Sequence, residues 1–332
     1  MINLVAVQAD MRVDDYVRAD TFRAKALHLC EEAVAGLPAA PTLVAFPELI
    51  GLPLLLALGN ERGAQAKSIF EAVSGLLRDD WRGLLRSVRR ERSLDPRVLY
   101  AWRGTAAYAQ YHDVFAEAAR AFGVTVVAGS SFLPSAELEV TRGVHVVGRR
   151  AYNTSLTFGP TGTLLGQTRK CYLMPAEARA GLSRARASEL PITDTPVGKL
   201  GVAICLDAYY HTVMAHLDGG GARVVVQPSA NDAPWERPWP ADPSRSEGEA
   251  WLEPGLRASV QNRLNIRLGV NPMLVGELWE LAPRGRSSIV ANRRYYPGVT
   301  TEGYEGVLAL AQTADQQAFV RATVAVPEVP EG

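Results

Sequence analysis

Residues 194–210 read DTPVGKLGVAICLDAYY. Within them 200–205 (LGVAIC) is apolar at odd and even positions alike, so a strand there buries both of its faces. A helix is expected just downstream, over about 209–217. The same pairing of a two-faced apolar strand with a helix recurs upstream. Residues 2–9 (INLVAVQA) read as a buried strand, and Asp14 and Asp15 offer an N-cap. The helix that follows spaces Phe22, Ala26, Leu29, Cys30 and Ala33 along one face and ends at Gly36 and Pro38. Residues 42–46 (TLVAF) form a second strand, stopped by Pro47-Glu48.

Further strands are expected at 124–128 (VTVVA), 144–147, 152–158 and 164–169, with Gly-Pro-Thr-Gly at 159–162 as a hairpin turn. Another is expected at 223–227 (RVVVQ), a helix at 254–266, and strands at 268–275, 286–290, 306–310 and 318–326. Residues 52 to about 120 are rich in Leu, Ala and Arg and read as mostly helical; 234–254 is a loop rich in Pro and Trp. Strands and helices that alternate, with hairpins in the middle, specify an α/β sheet protein and not a bundle. Neither a low-complexity linker nor an internal repeat divides the chain. One domain over 1–332 is expected, with local elaborations at about 52–105 and 232–253.

The 332 residues carry 35 Lys+Arg and 35 Asp+Glu, a formal net charge of zero. That balance argues against a nucleic-acid binder, which needs a basic footprint. The start MINLVAVQAD is not a secretory signal, and the longest apolar run, 49–58, is too short for a bilayer and is broken by Gly51 and Pro53. Three cysteines, Cys30, Cys171 and Cys205, do not make a disulfide framework. A cytoplasmic protein with no membrane or nucleic-acid partner is the expectation. His112, His211 and His216 lack metal-ligand spacing, so no metal and no cofactor are expected. Neither a Gly-x-Ser-x-Gly elbow nor a phosphate loop is present.

Three polar residues stand at the carboxyl ends of apolar strands: Glu48, Lys170 and Cys205. That edge is where open α/β sheets bind ligands. Taken singly each has a plain explanation. A cysteine ending a strand is ordinarily a small core residue, a glutamate after Phe-Pro a solvated loop residue, and a lysine beside Arg169 a surface charge. The lysine is the odd one, since the chain has only Lys25, Lys67, Lys170 and Lys199 and otherwise writes positive charge as Arg. Taken together they make chemical sense. A thiol attacks, a carboxylate takes and returns a proton, and an ammonium stabilises an oxyanion beside backbone N–H groups.

The contexts FPELIG at 46–51, RKCYLMPAE at 169–177 and DTPVGKLGVAICLDAYY at 194–210 resemble the nitrilase (carbon–nitrogen hydrolase) superfamily. The likeness extends to GVTVVAGSSF, AYNTSLTFGPTGTLLGQTRK, RVVVQPSA and EGVLAL, leaving out 55–105 and 232–250. It implies a four-layer α-β-β-α sandwich, often assembled as a homodimer or larger homo-oligomer. It also implies a hydrolase of non-peptide carbon–nitrogen bonds acting on a small amide or nitrile. In that scheme Cys205 is the nucleophile, Glu48 the general base, Lys170 the oxyanion partner with the Leu206 backbone N–H, and Glu177 a supporting carboxylate. Asn231, at the end of RVVVQPSA, is a candidate to touch substrate. Leu206 departs from the aromatic residue common after the nucleophile. Asp207 resembles the amidase and carbamoylase branches, whereas nitrilases usually carry Trp-Glu there, so an amide is expected over a nitrile. Acyl transfer to an amine and a non-catalytic binding homologue are the alternatives.

Overall fold

Two sheets lie face to face in the computed structural model, which describes residues 1–91, 95–139 and 143–325. Residues 92–94 of the first elaboration, and 326–332 with the last position expected for the final strand, lie outside them. In the first sheet Ile2–Arg12 pairs in parallel with Thr42–Ala45 on one side and Leu274–Glu277 on the other. It also pairs antiparallel with Ala318–Val324. Thr42–Ala45 continues to Thr125–Val127, then to Gly143–Phe158, which is flanked by Ser131–Glu139 and Leu164–Arg169. The second sheet runs in the order Val307–Leu310, Ser288–Ala291, Leu268–Asn271, Val224–Val226, Gly198–Val202, Ile192–Thr195.

The layering follows from strand parity. Successive side chains of a strand point to opposite faces. Leu4, Ala6, Leu43 and Ala45 from the first sheet therefore meet Leu200, Val202, Val224, Val226 and Val270 from the second. The alternate residues Val5, Val7, Val44 and Val126 turn outward onto the helices Ala19–Val34 and Arg97–Phe122, against Phe22, Leu29 and Phe115. On the far side Ala203, Val225 and Val290 turn onto Val213, Met214 and Leu217 of the helix His211–Gly219. Helix, sheet, sheet, helix is the α-β-β-α sandwich, and it explains why these strands carry apolar residues on both faces. Among the described residues no helix is long and apolar enough to cross a membrane.

Four local readings change. The strands expected at 144–147 and 152–158 are one strand, Gly143–Phe158, and its partner Ser131–Glu139, interrupted by Pro134, was not among the expected strands. The strand expected at 268–275 is two. Pro272, which cannot donate to a ladder, separates Leu268–Asn271 in the second sheet from Leu274–Glu277 in the first. The helix expected at 254–266 is only Leu256–Val260, since the chain turns left-handed at Asn262 with φ 59°. The loop at 234–254 holds a short antiparallel ribbon, Pro238–Trp239 with Asp242–Ser246, and a helix Glu247–Leu252 capped by Ser246.

Candidate functional site

Glu48 is set by a tight turn after Thr42–Ala45. Leu49 adopts a left-handed φ of 64°, an uncommon state for a branched residue. Its N–H donates to Ser130 Oγ at 3.1 Å, and Gly51 N–H donates to the Ser130 carbonyl at 3.1 Å. Gly129 makes the approach possible. It has φ 76°, and a Cβ there would lie 2.0 Å from the Pro47 carbonyl oxygen. Gly129→Ala is therefore expected to cost about 2–3 kcal/mol through strain and to displace Glu48. A lowered denaturation midpoint together with lost activity checks it; an unchanged midpoint contradicts it.

Cys205 sits where Gly198–Val202 leads into the turn Cys205–Tyr209, also left-handed at φ 50°. Both of its backbone groups are fixed: its N–H donates to the Pro228 carbonyl at 2.9 Å, and Gln227 Nε2 donates to its carbonyl at 2.8 Å. Strain of this kind is typical of functional turns. Lys170 follows Leu164–Arg169, its N–H donating to the Asn153 carbonyl at 2.9 Å. Glu177 is the third residue of the short helix Pro175–Arg179, where Met174 N–H donates to its Oε2 at 2.8 Å.

The four side chains converge. Lys170 Nζ donates to Glu48 Oε1 at 2.7 Å and to Glu177 Oε2 at 2.9 Å. Asn153 Nδ2 bridges the same two carboxylates, at 2.9 Å to Glu48 Oε1 and 2.7 Å to Glu177 Oε1. Lys170 is 1% exposed and Glu48 3%. Burial raises the Glu48 carboxyl above the ordinary carboxylate range; the Lys170 ammonium opposes that shift and the Glu177 carboxylate adds to it. Burial also raises the Cys205 thiol, and the nearby Glu48 carboxylate raises it further against Lys170. For Lys170 burial works toward the neutral amine, but Glu48, Cys205 and Glu177 together outweigh it and hold the ammonium. Lys170 is thus held as an ammonium, the proton affinity of Glu48 is raised, and the Cys205 thiol is favoured over its thiolate.

Asp207 ties the two turns together. It is fully buried and accepts the backbone N–H groups of Cys171 at 3.0 Å and Tyr172 at 2.8 Å, locking the residues after Lys170 to those after Cys205. Burial lifts its carboxyl to about 7, against the pull of those N–H donors. Burial pushes the thiols of Cys171 and Cys30 to about 12 as well, but unlike Cys205 neither of them lines the cavity onto which Glu48 and Lys170 open.

Glu48, Lys170, Glu177, Cys205 and Leu206 open onto one cavity of about 810 Å³. Both elaborations line it, the first through Leu52, Leu55, Ile69 and Val73, the second through Trp239 and Trp251. Trp235 instead packs in a small buried cluster with Leu252 and Met273, and Trp102 bonds Asp80 at 2.8 Å. Asn231 also lines the cavity, but its Nδ2 donates to the Ala233 carbonyl at 3.0 Å and the Arg284 carbonyl at 3.3 Å, holding a loop. Asn153 escaped the sequence reading. An Asn inside the strand AYNTSLTF looks like ordinary alternation, and only its place one strand away from Lys170 marks it.

The chain is similar to known proteins both in sequence and in fold. It is 34% identical over 104 residues to Nitrilase 3 of Arabidopsis thaliana, covering 29% of the chain and 30% of that protein. It is 30% identical over 142 residues to Omega-amidase NIT2 of Danio rerio, covering 38% and 47%. The chain thus matches less than half the length of these curated relatives. In structure it superposes on a carbon-nitrogen hydrolase from Helicobacter pylori G27 with a TM-score of 0.60 at 16% identity, over 96% of this chain and 88% of that one. The family model described as Carbon-nitrogen hydrolase matches residues 5–244, and the chain belongs to that family.

Proposed function

We propose that the protein hydrolyses a carbon–nitrogen bond of a small amide through a thioester on Cys205. The reading rests on one observation: a buried, mutually hydrogen-bonded Glu48–Lys170–Glu177 group beside the Cys205 thiol on the wall of a cavity. Cys205 Sγ bonds the amide carbon while its proton passes to the Glu48 carboxylate. Two of the three ammonium protons of Lys170 are taken by Glu48 and Glu177, and the third faces the oxyanion beside the Leu206 N–H. Glu48 returns the proton to the leaving nitrogen as the C–N bond breaks. Water, deprotonated by Glu48, then attacks the thioester, and the acid leaves with the thiol restored. Glu177 and Asn153 hold Lys170 and Glu48 in register without touching the reacting atoms.

The test is release of ammonia and carboxylic acid from a panel of primary amides and the matching nitriles. Amide turnover is expected; turnover of nitriles alone converts the reading to a nitrilase, and turnover of neither sinks it. The acid side of kcat/KM carries a second expectation. Activity needs Glu48 ionised, and its environment raises its pKa, so activity is lost on acidification at a higher pH than an ordinary glutamate, near 4.3, would give. An acid limb centred at or below that ordinary value contradicts the role given to Glu48.

A further inference from the structure

The wall around Cys205 carries charge information that its reacting groups do not. Among the described residues lining the cavity the only cation is Lys170, and Glu48 and Glu177 already bond it. Four carboxylates line the same space: Glu48, Glu177, Asp232 and Glu247. Glu247 and Cys205 both add to the upward shift that burial gives the Tyr209 phenol, so the field of this acid reaches the wall near the thiol.

Apart from Asn231 and the tyrosines Tyr100, Tyr209 and Tyr210, the rest of the lining is apolar, and much of it comes from three separate segments. Leu52, Leu55, Leu56, Ile69 and Val73 belong to the first elaboration. Trp239 and Trp251 belong to the second. Leu278, Trp279 and Leu281 follow the strand Leu274–Glu277 and were not foreseen from the sequence. That last loop is pinned: Trp279, at φ 57°, donates its Nε1–H to the Gly63 carbonyl at 2.7 Å, closing it against the first elaboration.

We infer that the acyl side of the substrate is an uncharged apolar group, a medium-length aliphatic chain or an aryl ring, and that a carboxylate-bearing chain is rejected. The inference rests on the reading of Cys205 as the acyl-accepting thiol. An apolar chain gains by leaving water for this wall. A carboxylate entering it loses hydration, finds no cation to replace it, and meets like charge. The volume, about 810 Å³, falls in the range of cavities that enclose most of a small ligand.

Two measurements test this together. Butanamide, hexanamide, octanamide and glutaramate, the singly charged monoamide of glutaric acid, are titrated into Cys205→Ala, with quenching of intrinsic tryptophan fluorescence as the readout. The same four are offered to the wild type with ammonia release followed. Kd is expected to fall about three- to fourfold per added methylene. Glutaramate is expected to bind at least about tenfold more weakly than hexanamide, with kcat/KM following the same order. Glutaramate bound as tightly as hexanamide, or affinity flat with chain length, overturns the inference. Affinity that rises with chain length while the wild type releases no ammonia supports the apolar preference and sinks the hydrolase reading, so the two failures are distinct.

Discussion

Cys205→Ala is expected to lower kcat for amide hydrolysis by at least about 10⁴-fold while leaving the protein folded. The effect is large because nothing else nearby can replace the thiol. Cys171 is close in sequence, but it does not line the cavity, and its N–H is committed to Asp207. Folding is spared because the change removes one sulfur without stranding a charge. Glu48 keeps its bonds to Lys170 and Asn153. An unfolding free energy within about 1 kcal/mol of wild type is the expected companion result. A variant that keeps more than a tenth of the activity would move the nucleophile elsewhere.

Lys170→Met should damage both activity and stability. Without the ammonium, Glu48 and Glu177 face each other in a buried space with Asn153 as their shared donor. Removing one partner of a buried ion pair costs about 3–5 kcal/mol. The strain is relieved when one carboxyl keeps a proton, and Glu48, already raised by burial, then stops serving as a base. Loss of the oxyanion partner adds about 10²–10³-fold in kcat. The double variant Lys170→Met with Glu177→Gln should recover part of the stability and none of the activity. Recovery of activity in the double variant would show that Lys170 acts only as a structural counter-ion.

The sandwich was legible because two-faced burial leaves a plain mark. Ile2–Arg12 and Val224–Val226 are apolar on both parities since each lies between a second sheet and a helix layer. Glu48, Lys170 and Cys205 stood out in the sequence for another reason: each is a polar or reactive residue just past a strand, Glu48 and Cys205 beyond buried ones and Lys170 after the half-buried Leu164–Arg169. What sequence could not carry is contact between distant segments. Asn153 becomes notable only once Gly143–Phe158 pairs with Leu164–Arg169 and brings it next to Lys170. Trp279 lines the cavity because Pro272 sends the chain from one sheet to the other, and the sequence shows the proline but not its destination. Asn231 lines the cavity, yet its amide is spent on loop carbonyls, an engagement set by a segment 53 residues away.

The central claim is an acyl group on the Cys205 sulfur. Wild-type protein mixed with its best-hydrolysed amide, quenched in acid within the first turnover and mapped by peptide mass spectrometry, tests it most directly. The expected result is the mass of one acyl group, less a hydrogen, on the peptide containing Cys205, and no such mass on those of Cys30 or Cys171. Steady amide turnover with Cys205 unmodified throughout, and with Cys205→Ala equally active, would contradict it.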